Sequence, residues 1–305
     1  MTDTADTVPV PATAARSGRA AGRRGPDLPR RRRWRTGNVV VDVVLLAFAA
    51  VMAAPLLWLV STSLTDPAHA FRLPPNWLPV EPTLGNLASV GDLVPFGQMA
   101  LNSVTVSVIA TVGSLVVSAL AAYGFSRFTF RSRDGLFLVM LSALMVPAQL
   151  LIIPVFMLMR SLGLVDTLVA LWLPALIQVF SIFFLRQYFN SIPRDLDDAA
   201  KLDGAGHLWI LFRMIVPLSG PAVSAVAILV FEATWNSYFQ PLIFISTPEN
   251  MTLPLGLVAL QSAQGGVEPT GVFAAITAVV LPVLVVFLVF QRHFVASIAT
   301  AGIRG

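Results

Sequence analysis

Four aspartates, Asp195, Asp197, Asp198 and Asp203, stand within nine residues, beside the sole lysine, Lys201, and among the small residues Ala199, Ala200, Gly204 and Ala205. The spacing predicts a short helix. Ser191 is placed as its N-cap, Pro193 in its first turn, and Gly204 just after its C-cap. Asp195, Asp197 and Asp198 then sit near the helix N-terminus, where the dipole favours negative charge. Leu196, Ala199, Ala200 and Asp203 recur at spacings of three and four and share a side. The chemistry on offer is recognition. Such a helix can rest on lipid, pack on its own protein, or dock in a partner's groove. The aspartates oppose anionic lipid, so docking and self-packing stay open.

Catalysis finds little support. His69, His207 and His293 are scattered without metal-site spacing, and there is no cysteine. No phosphate-cradling glycine loop ending in lysine is present. The apolar stretches hold no paired carboxylates, histidine cluster or nucleophile motif. Among their few polar residues Glu232 stands out, with Trp235, Asn236 and Tyr238 nearby. Asn102 and Gln149 are weaker candidates, and Asp42 reads as interfacial. An ionisable group inside a membrane segment is costly and by default functional.

The elements that must position these residues are membrane helices. Apolar residues make up 56% of the chain and charged residues 12%, against roughly 45–50% and about 25% in soluble domains. Six stretches are long and apolar enough to cross a bilayer. They are Val39 to Val60, Leu101 to Tyr123, Leu136 to Met159, Leu168 to Leu185, Ile215 to Phe239 and Val272 to Phe290. The fold class is therefore all-α membrane protein with six spans. Pro147, Pro154, Pro217 and Pro221 are expected to kink their helices. The first outer loop, Ser61 to Met99, is proline-rich, and the outer loop Pro241 to Pro269 is expected to turn back toward the membrane.

Arginine fixes the orientation. The first 36 residues form a basic tail, expected to be disordered, with nine arginines. Counting alternate loops puts 18 of the 20 Lys and Arg on one side. By the positive-inside rule that side is cytoplasmic, and it holds both termini and the aspartate-rich loop. The basic balance suits an anionic membrane surface better than nucleic acid.

Asp198-Ala199-Ala200, two residues, Asp203-Gly204-Ala205, and then Met214-Ile215-Val216-Pro217 resemble the signature cytoplasmic loop of binding-protein-dependent ABC importer permeases. That pattern is Glu-Ala-Ala, two residues, a position often Asp, then Gly, and about nine residues to Ile-x-Leu-Pro. Here Asp198 replaces the Glu, and two apolar positions before Pro217 carry other apolar residues. Pro82 to Asn86, Leu101-Asn102-Ser103, Ala122 to Phe128, Trp235-Asn236 and the ending Gln291 to Gly305 are similar to the shorter, six-span, G-type subunit of maltose-type carbohydrate permeases. The resemblance covers about Val39 to Gly305, leaving residues 1–36 as a separate tail.

It implies a coupling helix, Asp195 to Leu202, within a loop of about 191–217 and seated in a cleft of a separate ATPase subunit. Asp198, Ala199, Ala200, Asp203, Gly204, Ala205 and Pro217 would carry that contact. ATP would bind the partner, so this chain needs no cofactor and is not an enzyme. A second permease subunit and an extracellular solute-binding protein complete the expected assembly in a bacterial inner membrane. Glu232, Trp235, Asn236 and Tyr238 would line a sugar pathway through hydrogen bonds and stacking. The alternatives are the same architecture carrying glycerol phosphate or a polyamine, and a secondary transporter. The latter predicts more ionisable residues at mid-bilayer and internal repeats.

Overall fold

The computed structural model describes residues 39–70, 72–262 and 268–301. The basic tail and the last four residues lie outside them. The described residues are helical, with no strand among them. The chain divides into two units, residues 1–51 and 52–305. In the first, Val39 to Val51 is exposed helix. It is the start of α1 (Val39–Leu64), and the remaining elements belong to the second unit.

These are α2 (Gly85–Leu93), α3 (Phe96–Arg127), α4 (Arg133–Ser142), α5 (Ile152–Ser161), α6 (Val169–Trp172), α7 (Val179–Asn190) and α8 (Asp195–Leu202). A further six follow: α9 (His207–Trp209), α10 (Val216–Leu218), α11 (Gly220–Trp235), α12 (Phe239–Phe244), α13 (Leu253–Ser262) and α14 (Pro269–Ala301). A π-helical turn, Ile210–Ile215, joins α9 to α10.

Among the described residues four helices are long and apolar enough to cross a membrane, or six if each of two bent pairs is one span. The bent pairs fall where kinks were expected in the third and fifth spans, and they are sharper than a kink within one helix. Residues Arg133–Met145 and Ala148–Ser161 meet at 95°, and His207–Leu218 meets Gly220–Trp235 at 85°. Pro147 stands at the first break and Pro217 and Pro221 flank the second. Proline removes a helical donor and crowds the preceding turn, so the bends have a local cause. Pro154, in contrast, lies inside α5. The fourth span runs Val169–Asn190, interrupted by extended backbone at Ile177 and Gln178.

α3 is the post of the bundle. It packs against α7, α11, α13 and α6. Its inward stripe is small: Ser103, Ser107, Ala110, Ser114, Ser118 and Ala122 are all buried. Small side chains let helix backbones approach, which is how spans associate where lipid removes the hydrophobic drive between them. At one end of α3, Ala119, Ala122 and Tyr123 join Leu185, Phe189, Ile210 and Val226 in one core cluster. At the other, Met99 packs with Trp235, Leu253 and Val279.

The first outer loop is more ordered than its prolines implied. Asn86, at the start of α2, is buried and donates its side-chain amide to Ser63 O at 2.9 Å and Thr65 O at 2.8 Å. It thereby satisfies carbonyls left open at the end of α1. In the loop Pro241 to Pro269, α13 packs on α3 and α14.

Trp235 is 1% exposed, and its indole N–H donates to Val279 O at 2.9 Å. Trp235→Phe keeps most of the packing and removes that hydrogen bond. We expect it to lower stability by about 1 kcal/mol, read as an earlier thermal unfolding midpoint of the detergent-purified chain.

Candidate functional site

α8 spans Asp195–Leu202, and its C-terminal end falls where Gly204 predicts. Its C-terminus closes as a Schellman motif. Gly204 has φ +84°, its N–H donates to Lys201 O, and the Ala205 N–H donates to Ala200 O, both at 2.9 Å. An L-residue resists this left-handed conformation, which is why glycine stands there.

The N-terminus differs from expectation. Ser191 ends α7, its hydroxyl donating back to Tyr188 O at 2.7 Å. The first bond of α8 runs from the Asp198 N–H to Arg194 O. Ser191 is therefore not the N-cap, and Pro193 precedes the helix. The supposed common side also divides. Ala200 and Ala205 pack on the core beside Tyr123, Phe189 and Leu211. Leu196, Ala199 and Asp203 are exposed, as are Asp198 and Gly204. Leu202 is 90% exposed. Asp198 is engaged only by Lys201 of its own helix, at 3.0 Å, with both side chains in solvent. One face of the helix thus packs on the chain, and the other is exposed.

The inward face holds Asp197, which sequence reasoning counted only as a helix-dipole acid. It is 3% exposed, and its Oδ2 lies 2.6 Å from Arg127 Nε at the last residue of α3. The contact is an ion pair and not a well-directed hydrogen bond, because the Nε and the second oxygen, Oδ1, find no aligned partner. Arg127 also donates to Ile192 O at 3.2 Å. Arg194 donates to Ser126 O at 2.9 Å and Arg186 to Phe125 O at 3.3 Å. Open carbonyls at a helix C-terminus carry partial negative charge, and arginine suits them. The signal available in sequence was the three-residue spacing of Asp197 and Ala200.

Pro217 is exposed in α10, two residues before Ser219, where the chain bends. Ser219 itself is buried.

The proposed pathway residues separate. Glu232 and Asn236, one turn apart, are exposed and joined, the Asn236 amide donating to Glu232 Oε1 at 2.9 Å. Trp235 points into the bundle, so it does not share their surroundings. Tyr238 is half-buried against Phe244, Leu171 and their neighbours. Asn102, the weaker candidate, is also spent on structure: its amide donates to Glu249 O at 2.7 Å and Met251 O at 2.9 Å. Next to it, Ser103 Oγ accepts from the Leu253 N–H at 2.8 Å.

A cavity of about 470 Å³ opens beside the Glu232 turn. Its polar lining is Gln149, Gln178, Thr234, Ser237, Gln240 and Thr252. These come from the break in the third span, the extended segment of the fourth, the end of α11 and the residue pair after it, α12, and the residue before α13. Irregular backbone at membrane depth is tolerated where it lines a cavity or is buried in protein. Gln240 satisfies one freed carbonyl, donating to Ala170 O at 2.9 Å. Of this set, sequence reasoning singled out Gln149 alone. The others sit in stretches whose hydropathy is unremarkable, and what groups them is the bends.

At the Asn102 end, Asp166 fastens two loops. Its φ is +63°, a conformation aspartate tolerates better than most residues. Its carboxylate accepts from the Thr247 hydroxyl and from the Ser246 and Thr247 N–H groups. Asn250 donates to its carbonyl at 2.7 Å. The Thr247 hydroxyl first, then these N–H groups, holds the Asp166 carboxyl well below the usual carboxylate range.

A family model described as binding-protein-dependent transport system inner membrane component matches residues 114–300. The probable ABC transporter permease protein YurM of Bacillus subtilis is 35% identical over 286 residues, covering 90% of this chain and 91% of that protein. The arabinooligosaccharides transport system permease protein AraQ of Halalkalibacterium halodurans is 36% identical over 204 residues, covering 67% and 73%. The lactose transport system permease protein LacG of Rhizobium radiobacter is 34% identical over 262 residues, covering 84% and 93%. The crystal structure of a bacterial ABC transporter involved in the import of the acidic polysaccharide alginate contains a chain of like fold. It superposes with a TM-score of 0.72 at 28% identity, covering 84% of this chain and 95% of that one.

Asp166→Ala should loosen residues 246–250, read as faster deuterium exchange at the Ser246 and Thr247 amides. The pH dependence has a definite sign. A depressed carboxyl contributes fully above its unfolded value, 3.8 for this group, and its contribution is lost as pH falls through the folded value. Protection of the two amides, corrected for intrinsic exchange, should therefore show no Asp166-linked change between about pH 5 and 8.

Proposed function

The chain belongs to the family of binding-protein-dependent transport system inner membrane components, and from that membership we propose that it is the shorter permease subunit of an ATP-driven sugar importer. It is a multi-pass membrane protein and not an enzyme; its energy comes from a separate ATPase. Relatives named for arabinooligosaccharides and lactose favour a saccharide over glycerol phosphate or a polyamine. Its partners are an ATPase subunit, a solute-binding protein and a second permease chain. Both termini and α8 face the cytoplasm, following the arginine distribution.

The observation that carries the reading is the two-faced helix α8. Its outward face offers Asp198, Ala199, Leu202, Asp203 and Gly204 to a partner, and its inward face is bound to the bundle through Asp197, Ala200 and Ala205. A rigid, exposed helix fixed to membrane helices is what an ATPase needs in order to push a gate. Pro217, before the bend at Ser219, ends the coupling segment. The sugar path runs past Glu232 and Asn236 and the adjoining cavity with its amides and hydroxyls, between this chain and the second permease. Trp235 supports that wall from behind, and Tyr238 packs beneath it.

The test is reconstitution with the candidate ATPase, second permease and binding protein in vesicles. Hydrolysis stimulated by the loaded binding protein and sugar uptake should both depend on this chain. Movement of sugar down an ion gradient by the purified chain alone would overturn the proposal. Gly204→Ile is a sharper version. A Cβ there meets no atom of this chain within 4 Å, so the damage comes from backbone strain of about 1 kcal/mol and from bulk facing the partner. Hydrolysis should persist while uptake falls on the order of tenfold.

A further inference from the structure

The two adjacent aspartates of α8 occupy opposite environments. Asp198 has a side chain 69% exposed, whereas the side chains of Asp197 and Arg127 are each 5% exposed. A buried ion pair is weak evidence for stability, because an apolar pair of similar size often serves as well. What the pair does fix is register, between the start of α8 and the last residue of α3. The same arginine holds Ile192 O, and Arg194 holds Ser126 O. Further along, the Tyr123 hydroxyl lies 3.2 Å from His207 Nδ1, and the Phe128 ring meets His207 edge-on at 4.9 Å. Both ends of the α8 segment are thus tied to the terminus of α3, although the chain connects that segment directly only to α7 and α9.

Resting on the coupling role of α8, we propose that Asp197 and Arg127 are positioning residues that transmit movement of α8 to α3, separately from the docking contact made by Asp198. The force path runs from the ATPase through the outward face of α8 and across the ion pair into the post on which α7 and α11 pack. The chain that follows α8 turns through 85° at Ser219 before it enters α11, so the covalent route into that helix is indirect. The ion pair supplies a direct one into α3.

The experiment compares three variants in the reconstituted complex, reading co-purification with the ATPase and sugar moved per ATP hydrolysed. Asp197→Asn keeps the volume and removes the charge. It should co-purify as the unaltered protein does, while transport per ATP falls at least about fivefold. Asp197→Glu restores the charge and should recover at least half of the coupling. Asp198→Asn should instead weaken co-purification. An unchanged transport-to-hydrolysis ratio in Asp197→Asn would overturn the proposal. So would loss of co-purification in both Asp197→Asn and Asp197→Glu, since the pair would then only hold the loop's shape. If Asp198→Asn leaves co-purification intact and no variant's transport depends on ATP, the coupling role of α8 itself fails, which is a separate result.

Discussion

In lipid a backbone carbonyl without a partner is costly, and the segments that depart from helix in this protein are tied down by side chains that answer that cost. Most of those side chains belong to α3 or reach for it. Asn102 and Ser103 hold the backbone of residues 249–253 at one end. Arg127 holds Ile192 O at the other, while Arg186 and Arg194 hold carbonyls of α3 itself. Asn102 and Arg127 lie on one helix, about 38 Å apart at 1.5 Å per residue. A single rigid element therefore sets the positions of both loop systems.

The two ends are built from different chemistry. At the Asn102 end the ties are neutral amides and hydroxyls, plus one carboxylate, Asp166, whose partners are N–H and O–H groups. At the Arg127 end they are charged. Removing one member of a buried ion pair costs about 3–5 kcal/mol, whereas replacing both by apolar groups is often neutral. Stability alone thus gives little reason to keep Arg127 and Asp197. Direction does. A guanidinium with several donors can grip a carboxylate on α8 and the Ile192 carbonyl together, which an apolar contact cannot do with fixed geometry.

The sequence made some of this legible and hid the rest for identifiable reasons. The C-terminal end of α8 was readable because Gly204 punctuates it and its chemistry is local, whereas its start was misplaced because Ser191 closes α7 instead. The partner of Asp197 was not readable, because Arg127 is 70 residues earlier and nothing local couples them. Hydropathy found the membrane segments but not the bends, since it registers what a residue dissolves in and not where its backbone points. Ser219 and Val146 look ordinary in an apolar run. Trp235 and Asn236 were grouped as neighbours, yet successive helical residues point about 100° apart. The indole faces α14 and the amide faces outward. Gln178 joins Ser237 and Gln240 in one wall only after two separate segments have turned toward each other.

The bends also locate where the structure can give. An intact helix resists bending because each turn is held by its own hydrogen bonds, and it yields where those bonds are missing. α3 is continuous from Phe96 to Arg127, with small side chains packed along its buried stripe. The third and fifth spans lack that continuity at Val146 to Pro147 and at Ser219. The cavity meets the first of these breaks, at Ala148, and the carboxyl end of α11, beyond the second. A displacement entering at α8 therefore meets a stiff post at Arg127 and compliant segments elsewhere, and one wall of the cavity is made of compliant segments. The Asp197–Arg127 pair ties α8 to the continuous helix α3, and the interrupted third and fourth spans help to line the cavity.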